Sequence, residues 1–438
     1  MRYDLPEGMR KKQETGWPDG IGSIPVLLPD GCRAKLPVLE GMNAVTFGVT
    51  GTGKTRSYTL PAAEILLNSV AGMKGVFFEI KNSFADRLMK SDDKVIAYDL
   101  SGVPAGNRFG WCMIKEIRQA KNREAEMRQI ADFLFADILS GANQNLSWAE
   151  SARNTFVAVL RVITDCFSDN TANRTLTDAL RRMTVEELLA YLAKHPRNRS
   201  LLEKDFGYET GKSSDYRRNR RAEDIMFFFN QVLEKFAGSF ESDGMDTIHD
   251  FLHAESQNLF IRYDLAAAEI SRPFILYFLK KIKDEKMSNH SDVKSPVLLC
   301  LDEADKMADG GRAADFGLFQ AASLGRECGL QILLTTQSME NLYGLAPDFN
   351  SHIAEGGLAG FPVILSFRPG DPATVRNLQT LFGSGYREHL VVPASRYDRA
   401  DIKYEREPLV SDEDFAGLDT GECYVKIGSC LPRKVKLL

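Results

Sequence analysis

Between Gly48 and Thr55 the chain reads GVTGTGKT, the spacing G-x-x-x-x-G-K-[ST] that wraps backbone N–H groups around phosphates. Glycines permit the tight curl, and a helix N-terminus behind it adds positive potential. Gly48, Thr50, Gly51, Thr52 and Gly53 would supply the cradle, Lys54 would reach the β- and γ-phosphates, and the Thr55 hydroxyl would hold Mg²⁺. The local context agrees with that chemistry. Ala44–Phe47 is a β-branched and aromatic run of strand type, and a helix-forming stretch starts at Arg56. A glycine-rich turn is the plainer alternative, but it would rarely fall between a strand and a helix. ATP with Mg²⁺ is therefore the expected ligand.

Three further groups sit where strand-like runs end, which is where open α/β sheets place ligands. PVLLCL, residues 296–301, stops at Asp302-Glu303. Asp302 would bind the Mg²⁺ water shell and Glu303 would polarise the attacking water. Acidic residues are also common at helix starts after a strand, so the pair gains meaning only beside the Lys54 loop. QILLTT, residues 331–336, stops at Gln337, whose amide could sense the γ-phosphate or orient water. Arg326 lies at the end of the preceding helical segment. It is either a cation favouring a helix C-terminus or a guanidinium offered to a neighbouring subunit's site.

The elements that must position these groups alternate in type. Ile24–Leu28 and Ala34–Val38 flank the hairpin signal Asp30-Gly31. Residues 75–80 and 94–98 are continuous apolar runs of the kind buried on both faces, with a short helix at 82–90 between them. This rhythm predicts an α/β fold with a mainly parallel sheet and helices on both faces. From about Met113 the text turns helical, with 3.6-residue spacing over 123–140, 148–166, 176–194 and 222–240 and a capping box at Thr184-Val-Glu-Glu187. The α/β rhythm resumes with strands at 259–263, 296–301, 331–336 and 362–367, and with helices at 266–283, 315–327 and 373–381. A closing hairpin is expected at 422–427 and 434–437. The expected organisation is a polar arm over 1–22, a nucleotide-binding domain over 23–112 and 257–438, and an all-α domain over 113–256.

Composition narrows the class. The net charge of −5 excludes a strong overall basic field, so any nucleic-acid contact must come from a local patch or channel. Seven scattered cysteines show no metal-ligand spacing and read as reduced, small buried groups in the cytoplasm. There is no apolar run of ~18 residues to span a membrane, and the N-terminal text lacks the apolar core of a signal peptide. The densest basic run, Arg217-Arg218-Asn219-Arg220-Arg221, would suit a DNA backbone or a solvated helix face. Trp148, in WAESAR (148–153), reads as a packing residue in the helical block.

With these residues in view, the chain resembles the coupling-protein ATPases of type IV secretion and conjugation, within the RecA-like superfamily that includes septal DNA translocases. The matching text is GVTGTGKT (48–55), PVLLCLDEAD (296–305) and SLGRECGLQILLTTQSMENLYG (323–344), with weaker matches at 148–153, 371–383 and 418–437. The resemblance implies a RecA-like P-loop NTPase with an inserted all-α domain, working as a homo-hexamer with DNA in its pore and with relaxase and secretion-channel proteins as partners. It also implies that Arg326 is a finger acting on a neighbour and that Gln337 is a sensor. Family members often carry a membrane anchor, which is not read here, so attachment would be peripheral, at the inner face of the membrane. They also often carry Asp-Pro-Lys-Gly where this chain has Glu79-Ile-Lys81-Asn. The alternatives are a duplex-DNA translocase for partition or packaging, and a nucleotide-dependent recruitment module that does not pump.

Overall fold

The computed structural model describes residues 17–141, 145–166, 171–207, 220–288, 292–308, 315–346, 351–391 and 401–438. The strands in chain order are β1 (Gly22–Leu27), β2 (Arg33–Val38), β3 (Ala44–Phe47), β4 (Lys74–Glu79), β5 (Lys94–Ile96), β6 (Leu259–Arg262), β7 (Val297–Leu301), β8 (Leu330–Thr336), β9 (Val363–Ser366), β10 (Ser384–Val391), β11 (Asp401–Pro408), β12 (Glu422–Ile427) and β13 (Arg433–Leu437). The chain divides into two compact units, Met1–Met89 with Asn289–Leu438, and Lys90–Ser288.

In the first unit the strands run β2-β1-β13-β12-β9-β3-β8-β7-β4 across one sheet. From β9 to β4 the pairings are parallel, and from β9 outward to β2 they are antiparallel. The residue types account for the change. β3, β4, β7, β8 and β9 are mostly apolar and buried at every position, as parallel strands covered on both sides must be. β12 instead alternates buried and part-exposed residues, the period-two pattern of a strand with one wet face. The buried amide of Gln331 on β8 is fully used: its Nε2 donates to the carbonyls of Leu39 and Met42, and its Oε1 accepts from the Gly41 N–H at 2.9 Å. A separate ribbon, β10 with β11, pairs Ser384–Val391 against Asp401–Pro408.

In the second unit β5 and β6 pair in parallel, and the remainder is helical. The Trp111 ring packs on the edges of Phe274 and Phe278, while its Nε1 donates to Glu116 at 3.2 Å. Buried Glu126 accepts from the Tyr277 hydroxyl at 2.5 Å and from the Lys281 ammonium at 2.6 Å, so this buried carboxylate is paired.

Several expectations need correcting. The single helix read over 176–194 is two helices, Asn173–Arg182 and Val185–Leu192, because the Thr184 capping box starts a new one. The 222–240 helix is Arg220–Lys235 followed by a short 3₁₀ turn. The helix read over 315–327 is Leu318–Leu324, continuing as a tighter 3₁₀ turn over Gly325–Cys328. Trp148 is part-exposed rather than core. Cys112, Cys300 and Cys423 are buried as expected, but Cys32 and Cys166 are exposed. The basic run at 217–221 lies outside the described residues, apart from the helix that begins at Arg220.

Candidate functional site

The phosphate-loop motif folds as a curl behind β3. Gly48, Gly51 and Gly53 have φ of 149°, 84° and 100°, which side chains with a Cβ rarely adopt. At Gly48 there is also no room, since an added Cβ would come within 2.8 Å of the Phe367 side chain. Thr52 Oγ1 donates to the Val49 carbonyl at 2.8 Å, and the Val49 N–H donates to Arg368 at 3.0 Å, pinning the loop to the segment after β9. Behind the loop, Lys54–Thr59 forms a wide π-type turn that runs into the helix Leu60–Ser69. Pro61, in that helix's first turn, has no N–H to continue the α ladder backward.

Lys54 is 5% exposed, and its ammonium donates to the carbonyls of Gly48 and of Val49, the latter at 3.1 Å. Burial pushes its pKa down from the ordinary lysine value, while the carboxylates of Glu303, Asp302 and Asp305 pull it back up. A buried cation satisfied only by two loop carbonyls is poised to exchange them for a stronger anion.

Strand register brings the acidic pair to this loop. Leu301 on β7 faces Leu334 on β8, so Asp302 emerges beside Thr335. Asp302 Oδ1 accepts from the Thr55 hydroxyl at 2.8 Å and from the Thr335 hydroxyl. Burial raises the Asp302 pKa above the usual carboxylate value, and these two hydroxyls oppose that rise. Glu303 has a φ of 52°, uncommon for a residue with a side chain. Its N–H donates to Thr335 Oγ1 at 3.0 Å, and its carboxylate lies 3.5 Å from Lys81 Nζ. Phe47 faces Thr336, so Gln337 leaves β8 next to Gly48, where it is half-buried.

The structure therefore gathers the loop residues, Asp302, Glu303 and Gln337 at one end of the parallel strands. Arg326 is elsewhere. It is exposed on the 3₁₀ turn before β8, where its side chain lies against Gly41 at the other end of the sheet. Seven residues of β8 stand between Arg326 and Gln337, a span of about 20 Å. Arg326 thus does not reach its own chain's phosphate loop.

Sequence reasoning missed Thr335, which donates to one acid and accepts from the backbone of the other. The text offers no sign of this, because a threonine in a buried strand is ordinary. Glu79, at the departure from the family's Asp-Pro-Lys-Gly, is fully buried and accepts from the N–H groups of Phe84 at 2.7 Å and Ala85 at 3.2 Å. It shapes the loop that presents Lys81. Thr335→Val would leave the Glu303 N–H and Asp302 Oδ1 each one partner short. We expect a loss of about 1–3 kcal/mol of stability, read as a lower midpoint in thermal or denaturant unfolding, with Thr335→Ser largely restoring it.

Fold and site together define a RecA-like phosphate-loop protein: a mostly parallel sheet, the loop after a central strand, and an acidic pair at the end of a neighbouring strand. Residues 34–384 match the family model described as the type IV secretion-system coupling protein DNA-binding domain. The chain belongs to that family.

Among solved structures, the chain is similar to the unbound monoclinic form of the bacterial conjugative coupling protein TrwBdeltaN70. The TM-score is 0.69 at 18% identity, covering 100% of this chain and 93% of that one. It is also similar to the plasmid coupling protein TrwB in complex with the ATP analogue ADPNP, with a TM-score of 0.67 at 19% identity, covering 100% and 94%. VirB4 of Thermoanaerobacter pseudethanolicus follows with a TM-score of 0.55 at 13% identity, covering 97% and 98%. A comparison with curated proteins gives no match. No helix among the described residues is long and apolar enough to cross a membrane.

Proposed function

We propose that this chain is an ATP-driven coupling protein that brings DNA, with a bound relaxase, to a type IV secretion channel and helps pump it. The observation that carries the reading is the hydrogen-bonded line from Thr55 through Asp302 to Thr335 and the Glu303 backbone. It ties the lysine-bearing loop to the acidic pair. The donor set fits a triphosphate with a hard divalent cation: a buried ammonium, a hydroxyl and a carboxylate oxygen. TrwB structures have been solved with ADPNP and with ADP and Mg²⁺, which supports the same ligands here.

In this reading Gly48, Thr50, Gly51, Thr52 and Gly53 present backbone N–H groups to the phosphates. Lys54 exchanges its two loop carbonyls for phosphate oxygens. When bound, Mg²⁺ neutralises charge developing on the phosphates, and Thr55 and Asp302 are the residues that would hold it. Glu303 orients water and accepts its proton, and Gln337 contacts the terminal phosphate. Arg326 serves the site of an adjacent copy in a homo-hexamer. The helical stretch 113–256 serves as the domain that meets partners, and attachment to the inner face of the membrane is through a docking partner.

Glu303→Gln keeps the side chain's size and removes its basicity. We expect ATP binding within about threefold of wild type and turnover lower by roughly 10²-fold or more, measured by nucleotide titration and phosphate release. The reading as a whole is tested by ATPase rate with single-stranded DNA, duplex DNA or no DNA, across protein concentration. A rate that rises with DNA and with concentration is expected. A rate unmoved by any DNA would favour the recruitment module instead.

A further inference from the structure

Two residues beyond the acidic pair, Asp305 is 4% exposed in the 3₁₀ turn Ala304–Ala308. Its Oδ2 accepts from Asn341 Nδ2 at 2.9 Å, and its Oδ1 has no hydrogen-bond partner among the described residues. Burying a carboxyl on so little compensation is costly, and burial pushes its pKa up to about 6. The partner is placed in a telling position. Asn341 belongs to the short helix Met339–Tyr343, which Ser338 caps by accepting from the Asn341 N–H at 3.1 Å and which follows Gln337 directly. The Asp305–Asn341 bond therefore joins the segment that carries Glu303 to the segment that carries Gln337.

Glu303 needs such a tie, because its backbone sits in the left-handed region and stays there only if its surroundings hold it. On one side the hold is Thr335 Oγ1. On the other, the Glu303 carbonyl accepts from the Lys306 N–H at 3.0 Å within the turn that Asp305 anchors. The helix Met339–Tyr343 is itself fixed, since the Met339 N–H donates to Thr374 Oγ1 at 2.9 Å.

We propose that Asp305 is a positioning residue for hydrolysis: through Asn341 it fixes the aim of Glu303 relative to Gln337. This rests on the ATPase reading above. Asp305 touches neither phosphate nor metal in that scheme, so its loss should act on turnover and spare nucleotide binding. Small misplacements of a catalytic group cost as much as ~10²-fold in rate.

The test uses the full chain with Asp305→Ala, Asp305→Asn, Asn341→Ala and the double variant D305A/N341A. Each is measured for Kd of ADPNP, for kcat of ATP hydrolysis with DNA, and for Tm, with Lys54→Ala as the control. We expect kcat to fall roughly 10- to 100-fold in both alanine variants while Kd stays within about threefold. Asp305→Asn, whose amide oxygen can still accept from Asn341, should recover most of the rate. The double variant should be no slower than the slower single one.

A wild-type kcat in Asp305→Ala overturns the proposal, as does parallel loss of Kd, kcat and Tm, or failure of Asp305→Asn to recover. So do losses that multiply in the double variant. If Asp305→Ala does not fold, Asn341→Ala and Asp305→Asn decide the matter. Turnover surviving in Lys54→Ala would instead sink the ATPase reading itself, which separates the two failures.

Discussion

Lys54→Ala is expected to abolish ATP turnover, by roughly 10³-fold or more, in a protein that folds normally. The fold should survive because Lys54 makes no ion pair among the described residues. Its ammonium is buried against two loop carbonyls, and removing a desolvated cation relieves a cost as well as losing hydrogen bonds. Turnover should disappear because the cation buried in the loop is lost. Lys81 is engaged with Glu303 at 3.5 Å and is more than half exposed. The checks are phosphate release under saturating ATP and DNA, with circular dichroism and Tm to establish folding. Residual turnover within tenfold of wild type would mean that the phosphate loop is not the reaction site.

Arg326→Ala should cost roughly 10³-fold in turnover as well, while ATP affinity stays near wild type, because Arg326 lies at the far end of β8 from its own loop. The distinguishing prediction is complementation. Mixed in equal amounts, Arg326→Ala and Lys54→Ala chains each supply what the other lacks, and about a quarter of the interfaces in a cyclic ring would pair an intact loop with an intact arginine. Partial recovery of turnover on mixing, absent from either variant alone, is the expected result. No recovery in rings shown to contain both variants would count against an arginine acting on its neighbour.

The sequence disclosed the phosphate loop and the acidic pair because their chemistry tolerates few residue types. Only glycine suits the φ values at Gly48, Gly51 and Gly53, and a strand that stops at Asp-Glu is visible as a break in apolar text. It disclosed the parallel core for a related reason: β4, β7, β8 and β9 each centre on a run of apolar residues with no period-two alternation. What stayed hidden depends on register. Thr335 matters because Leu301 faces Leu334, and Asn341 because a short turn brings Asp305 against it. No local pattern encodes either juxtaposition. β10 and β11 were invisible for the opposite reason, since SGYREHLV and DIKYEREP are too charged to read as strands. The helix break near Met183 could be seen as the Thr184 capping box, but periodicity alone runs straight across it.

β8 has a consequence for timing. It is hydrogen-bonded in parallel to β3 on one side and to β7 on the other, so it cannot slide alone and moves only as part of a stiff plate. One tip of that plate carries the glutamine that would feel a chain's own triphosphate, and the opposite tip carries the arginine that would be lent next door. If the proposed roles of Gln337 and Arg326 hold, a displacement begun by nucleotide at the first tip would be carried to the second, as by a lever. In a ring of such chains, firing would pass from copy to copy in order, through the rigidity of a single buried strand.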